Sequence, residues 1–108
     1  MSEHAVAPAF AALGDATRVE IVNRLCVHGP LPIVRLADGA GVSRQAVTKH
    51  LDRLAVAGLV RSERRGRERI WMLEQRRLAE VRAYLERVSS RWDDAIGRLR
   101  ALVEDGKS

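Results

Sequence analysis

The sequence predicts a mainly α-helical domain with one small β-hairpin, and three observations predict it. Residues 36–54, LADGAGVSRQAVTKHLDRL, read as two short helices joined by a tight turn. Residues 59–73 switch to β-compatible runs around a basic, turn-prone tip. After Leu73, apolar residues recur every seven positions to about residue 103, the mark of one long helix.

The elements follow in chain order. Residues 1–5 are expected to fray. A short helix is expected within residues 6–13, since Pro8 is tolerated in a first turn, and Phe10 and Leu13 are its apolar groups. Gly14 ends it, and Asp15 is a good N-cap for the next helix. There Val19, Val22, Leu25 and Cys26 repeat at helical spacing, and Gly29-Pro30 is a stop signal after His28. Pro32 opens a third helix carrying Leu36 and Ala37 inward. Gly41 supplies the sharp reversal, and Ser43 can accept a backbone N–H of the helix that follows.

That helix, Ser43 to about Ala57, splits into two faces before Gly58 stops it. At about 100° per residue, Val47, Leu51 and Leu54 fall on one side. Gln45, Thr48, Lys49 and Asp52 fall on the other. His50 sits at the edge of the inner face and is expected to be a half-buried, hydrogen-bonded packing residue. Leu59–Glu63 and Arg69–Leu73 then flank Arg64-Arg65-Gly66-Arg67-Glu68 as a hairpin. In the long helix, Leu78, Leu85, Trp92 and Leu99 form one heptad series, and Val81, Val88, Ala95 and Leu102 the other. Ile96 and Val103 widen the stripe. So long a stripe on so short a chain favours a partner helix over packing within the chain, and Trp92 favours a bundle over a free zipper.

The outer face of the second motif helix offers amide, hydroxyl and ammonium groups, which can read base edges in a major groove. A hairpin directly after a reading helix is a wing, and its arginines suit phosphates or a minor groove. The charge agrees. Of a net +5, residues 1–34 carry −1, residues 35–69 carry +5 and residues 70–108 carry +1. A local excess on a reading element is the footprint of a polyanion. A basic solubilising face would not explain the coincidence.

Other chemistries find less. Gly39-Ala40-Gly41 begins like a dinucleotide fingerprint, but Arg44 replaces the third glycine and no strand precedes it. One cysteine, Cys26, excludes an intramolecular disulfide, and it falls on an apolar helix face, where a cysteine is usually a buried small hydrophobe. No apolar run could span a membrane, and the N-terminus is a poor signal peptide, so a cytoplasmic protein is expected. No nucleophile–base spacing, phosphate loop or ligand cluster supports an enzyme.

The chain resembles the ArsR-type winged helix-turn-helix repressors over nearly its whole length. The matching stretches are ALGDATRVEIVNRL (Ala12 to Leu25), LADGAGVSRQAVTKHLDRLAVAGLV (Leu36 to Val60) and RRGRERIWML (Arg64 to Leu73). The resemblance implies a homodimer joined through its first and last helices, bound to an imperfect palindrome in double-stranded promoter DNA. It implies repression relieved by a signal. Metal-sensing members carry Cys-x-Cys where this chain has Leu31-Pro32-Ile33-Val34-Arg35-Leu36, and others use histidines and carboxylates on the last helix, where residues 74–108 hold no histidine or cysteine. His4, His28, His50 and Cys26 are scattered, so no metal, and no cofactor, is expected.

The expectation is a single domain over residues 1–108, with a reading core at 32–73 and dimer helices at about 6–13 and 75–103. Ser43, Arg44, Gln45, Thr48 and Lys49 are the expected reader contacts to DNA, and Arg64, Arg65 and Arg67 those of the wing. Phe10, Leu13, Leu78, Val81, Leu85, Val88 and Trp92 are the expected dimer interface. A winged helix serving protein interaction, and a metal-responsive repressor with an unrecognised site, are the alternatives.

Overall fold

The computed structural model describes residues 3–105. Its elements run α1 (Glu3–Ala12), α2 (Ala16–His28), β1 (Leu31–Pro32), α3 (Ile33–Ala37), α4 (Arg44–Val56), β2 (Val60–Arg65), β3 (Glu68–Leu73) and α5 (Gln75–Asp105). The helix-turn-helix, the hairpin and the long last helix are where the sequence places them.

The first helix starts earlier than expected. Glu3 to Ala5 already belong to α1, while residues 1–2 of the segment expected to fray lie outside the described residues. Pro8 therefore sits inside α1 rather than in its first turn. Its missing N–H removes one rung of the helix ladder, and the residue lies on the exposed side.

The second helix is capped at both ends as its sequence indicates. The Asp15 side chain accepts from the Arg18 backbone N–H at 3.1 Å. Gly29, at φ +76°, donates its N–H back to the Leu25 carbonyl. The inner face, however, is Ile21 and Leu25 with Val22 half-buried, whereas Val19 and Cys26 are exposed. This corrects the expected stripe of Val19, Val22, Leu25 and Cys26, and with it the expected burial of the cysteine. The reason is that α2 carries apolar groups on most sides, so spacing leaves two overlapping stripes. Contact with α4 and β3 selects the one bearing the larger side chains.

The sheet has three antiparallel strands in the order β1-β3-β2. The two-residue β1 pairs Leu31 with Trp71 and Pro32 with Ile70. Two residues carry no readable period, so this strand is invisible in the sequence, and its Pro32 is tolerated because β1 is an edge. In the hairpin, Arg65 pairs with Glu68 and Arg64 with Arg69. The loop is therefore only Gly66-Arg67, not the expected tip of residues 64–68. Gly66, at φ +63°, takes the first loop position, the Gly-x arrangement that matches the twist of the strands.

The core is centred on α4. Val47, Leu51 and Leu54 have no exposed surface, and Leu36, Leu59 and Ile21 close around them. The start of α5 completes it, with Val81 buried and Leu78 and Tyr84 packed against it. Phe10 of α1 meets Tyr84 with ring centroids 5.7 Å apart and planes at 60°, a favourable tilted pair. Farther along, Leu85, Trp92, Leu99 and Leu102 are exposed, and the molecule measures 72 × 29 × 22 Å. The stripe is thus shared: its first turns pack within the chain, and the rest has no covering among the described residues. Val81, expected at the dimer interface, has little surface left to give a partner.

Candidate nucleic-acid interface

The turn between α3 and α4 reverses through Gly39 and Gly41, at φ +72° and +73°. Ser43 then caps α4, its hydroxyl accepting from the Ala46 N–H at 3.1 Å. Losing that bond leaves one N-terminal donor of α4 unpaired. Ser43→Ala is therefore expected to cost about 1 kcal/mol of stability, read from chemical denaturation.

An arginine that the sequence reading did not single out fixes the motif from below. Arg24 of α2 reaches the last carbonyls of α3, donating to Arg35 O at 3.2 Å and to Asp38 O. The guanidinium so supplies partners to a helix end that lacks them. Its only sequence signal is a basic residue on the α2 face that turns toward α3.

The outer face of α4 is as the helical wheel indicates. Ser43, Arg44, Gln45, Lys49 and Asp52 are exposed and Thr48 is half-buried. The Thr48 hydroxyl donates to the Arg44 carbonyl at 2.9 Å. Its proton is spent, so Thr48 can offer a base edge only an acceptor oxygen and a methyl group. No ion pair or hydrogen bond joins Asp52 to Lys49 or Arg53 among the described residues. His50 is half-buried as expected, with Nδ1 3.3 Å from Arg18 Nη1 and 4.0 Å from the Asp15 carboxylate. The Arg18 N–H bond, then the charges of Arg18 and His50, hold the Asp15 carboxyl below its ordinary value. This polar cluster ties the start of α2 to the reading helix.

Strand alternation divides the wing arginines in a way that composition does not. Arg61, Glu63 and Arg65 share one face, where Arg61 meets Glu63 at 2.7 Å and Arg65 meets it at 3.5 Å. These bonds raise the Arg61 pKa and lower that of Glu63. Arg64 stands on the other face, directly across from Arg69. Arg69 donates to the Ser62 hydroxyl at 2.7 Å, and no acid pairs with Arg64, Arg67 or Arg69 among the described residues. So Glu63 offsets part of the charge of Arg65, while no carboxylate offsets that of Arg64, Arg67 or Arg69 among the described residues. Arg69 was not among the expected contacts. A two-residue loop, once recognised, would have placed it opposite Arg64 and revealed it.

Among the described residues no three His, Cys, Asp or Glu side chains come together as a metal site. No described helix is long and apolar enough to cross a membrane.

Comparison with known proteins places this arrangement. The helix-turn-helix domain family model matches residues 13–63. The HTH-type transcriptional regulator Rv2034 of Mycobacterium tuberculosis is 43% identical over 96 residues, covering 89% of this chain and 86% of that protein. The solved ArsR-like transcriptional regulator from Rhodococcus sp. RHA1 superposes with a TM-score of 0.78 at 35% identity, covering 92% of each chain. The solution structure of the homodimeric winged helix-turn-helix domain Mb0332 from Mycobacterium bovis shares the fold, at a TM-score of 0.66 and 22% identity over 83% of this chain and 88% of that one. With a reading helix, a wing and a long terminal helix in the same order, and with this identity across nearly the full length of a curated regulator, the chain belongs to the ArsR-type family of winged helix-turn-helix transcriptional regulators.

Proposed function

We propose that this regulator is a homodimeric repressor without enzymatic activity, acting in the cytoplasm on an imperfect palindromic operator in double-stranded DNA. The observation that carries the DNA reading is the cross-strand Arg64–Arg69 pair on the wing, together with the exposed polar face of α4. Like charges directly opposite on two strands are destabilising unless an outside anion neutralises them, and a phosphate backbone is such an anion. Ser43, Arg44, Gln45, Thr48 and Lys49 face the base edges in this reading, and Arg64 and Arg67, with Arg65 in a lesser role, hold phosphates. Homodimerisation is supported by the uncovered part of the α5 stripe and by the homodimeric Mb0332 fold.

The test separates reading from positioning. Gln45→Ala should relax preference at one base pair by about 1–3 kcal/mol. Arg64→Ala with Arg67→Ala should weaken operator and random DNA alike, and flatten the slope of log K against log salt by about two. Equal losses on both DNAs for Gln45→Ala would sink the reader assignment, and salt-insensitive binding would favour a protein-interaction module instead.

The scattered ligands carry a second expectation. Added zinc, or a chelator, should leave operator affinity unchanged. Stoichiometric zinc binding that releases DNA would refute this.

A further inference from the structure

A groove of about 410 Å³ lies between α1 and the last turns of α4. Pro8, Ala11 and Ala12 form one wall, and Val56 and Ala57 the other. Val56 is 91% exposed at its edge, an uncovered aliphatic group on a helix whose other large apolar side chains, Val47, Leu51 and Leu54, are inside. The volume falls in the range of small-molecule sites, and the walls are mostly apolar, as such sites are. The charged lining is Arg18, Arg53 and Asp52, so two guanidiniums stand against one carboxylate. Arg53 has no ion pair among the described residues. Arg18 donates to the Ala12 carbonyl at the end of α1 and lies against His50 Nδ1 on the reading helix.

We propose that this groove binds a small monocarboxylate with an apolar body, and that Arg18 couples its occupancy to the reading helix. The aliphatic walls take an alkyl or aryl body. A guanidinium takes a carboxylate in a two-point, charge-assisted contact. Asp52 repels a second carboxylate and so selects against diacids. At about 100° per residue, Pro8, Ala11 and Ala12 lie on the side of α1 away from Phe10 and Leu13. A partner docked on those two residues leaves the groove open. A carboxylate that engages Arg18 competes with the Ala12 carbonyl and with His50, loosening the Arg18 contacts that join the end of α1, α2 and α4. Linkage then requires ligand and DNA to change each other's affinity by the same factor. The coupling rests on the DNA-binding reading; the binding site itself does not.

The experiment is a calorimetric titration of the full chain with octanoate, without DNA. One octanoate per protomer is expected, with a Kd of about 1 mM or tighter. Suberate and octylammonium should bind at least tenfold more weakly, about the difference a lost charge-assisted contact makes. Ala11→Trp, whose indole fills the groove from an exposed position on α1, should cost a similar factor. In a parallel operator titration, octanoate should shift DNA affinity by about fivefold or more, and Arg18→Gln should lose that shift. No saturable octanoate binding, equal binding of octylammonium, or unchanged binding by Ala11→Trp would each overturn the site. An Ala11→Trp protein that no longer dimerises would place a second copy in the groove and overturn it as well. Octanoate binding with no effect on operator affinity would overturn the Arg18 coupling, while a chain that binds octanoate but no DNA at all would instead overturn the DNA reading.

Discussion

Leu85→Glu should give a folded monomer that has lost its operator, although every side chain assigned to DNA is intact. Leu85 is half exposed, so a carboxylate there is solvated in the single chain and leaves the fold alone. In a helix-to-helix interface the same carboxylate would be buried without a partner, at a cost of several kcal/mol. One winged module reads one half-site. Two modules joined symmetrically read half-sites about one helical turn apart, roughly 10 bp or a multiple of it. Losing the second half-site should lower operator affinity by about 10³-fold or more, toward the non-specific level. Light scattering beside an operator titration checks both halves of the statement. A variant that stays dimeric and binds normally would put this part of the stripe outside the interface. A monomer that still binds the full operator tightly would cut the link between dimerisation and recognition.

Leu51→Ala should be among the costliest single truncations in the reading helix. Its side chain has no exposed surface and sits between the α4 neighbours Val47 and Leu54 in the central core. Removing it forfeits burial and leaves a cavity, about 2–5 kcal/mol. Total stability for a chain of this size is about 5–15 kcal/mol, so the midpoint of thermal unfolding should fall by roughly 10–20 °C. Val56→Ala, five residues on and exposed, is the control and should stay within about 0.5 kcal/mol. Circular dichroism melts decide it: equal midpoints for the two variants would mean that α4 is not anchored through this face.

Cys26 shows where sequence reasoning reaches its limit. Its neighbours at helical spacing are apolar, and so is its usual environment, yet it is exposed because α2 presents Ile21 and Leu25 to the core instead. On a helix with apolar groups on most sides, periodicity cannot choose the inner face. On α4 the polar and apolar sets are cleanly separated, and there the wheel alone placed Val47, Leu51 and Leu54 inward and Gln45 and Lys49 outward.

What the sequence determined by itself are the features written in local chemistry. Asp15 and Ser43 are caps because their side chains close bonds three residues away. Gly29, Gly41 and Gly58 end or turn elements because only glycine takes those positive φ values cheaply. The length of α5 follows from its heptad. What only the tertiary structure decided are the relations between distant segments. These are the β1 strand pairing Leu31 with Trp71, the Arg24 clamp on α3, the Arg18–His50 tie, and the division of the wing arginines into paired and unpaired faces. Each depends on a register or a helix rotation that long-range packing sets. A one-residue shift in the hairpin would put Arg64 and Arg69 on opposite faces, and nothing in the local residue pattern forbids that shift.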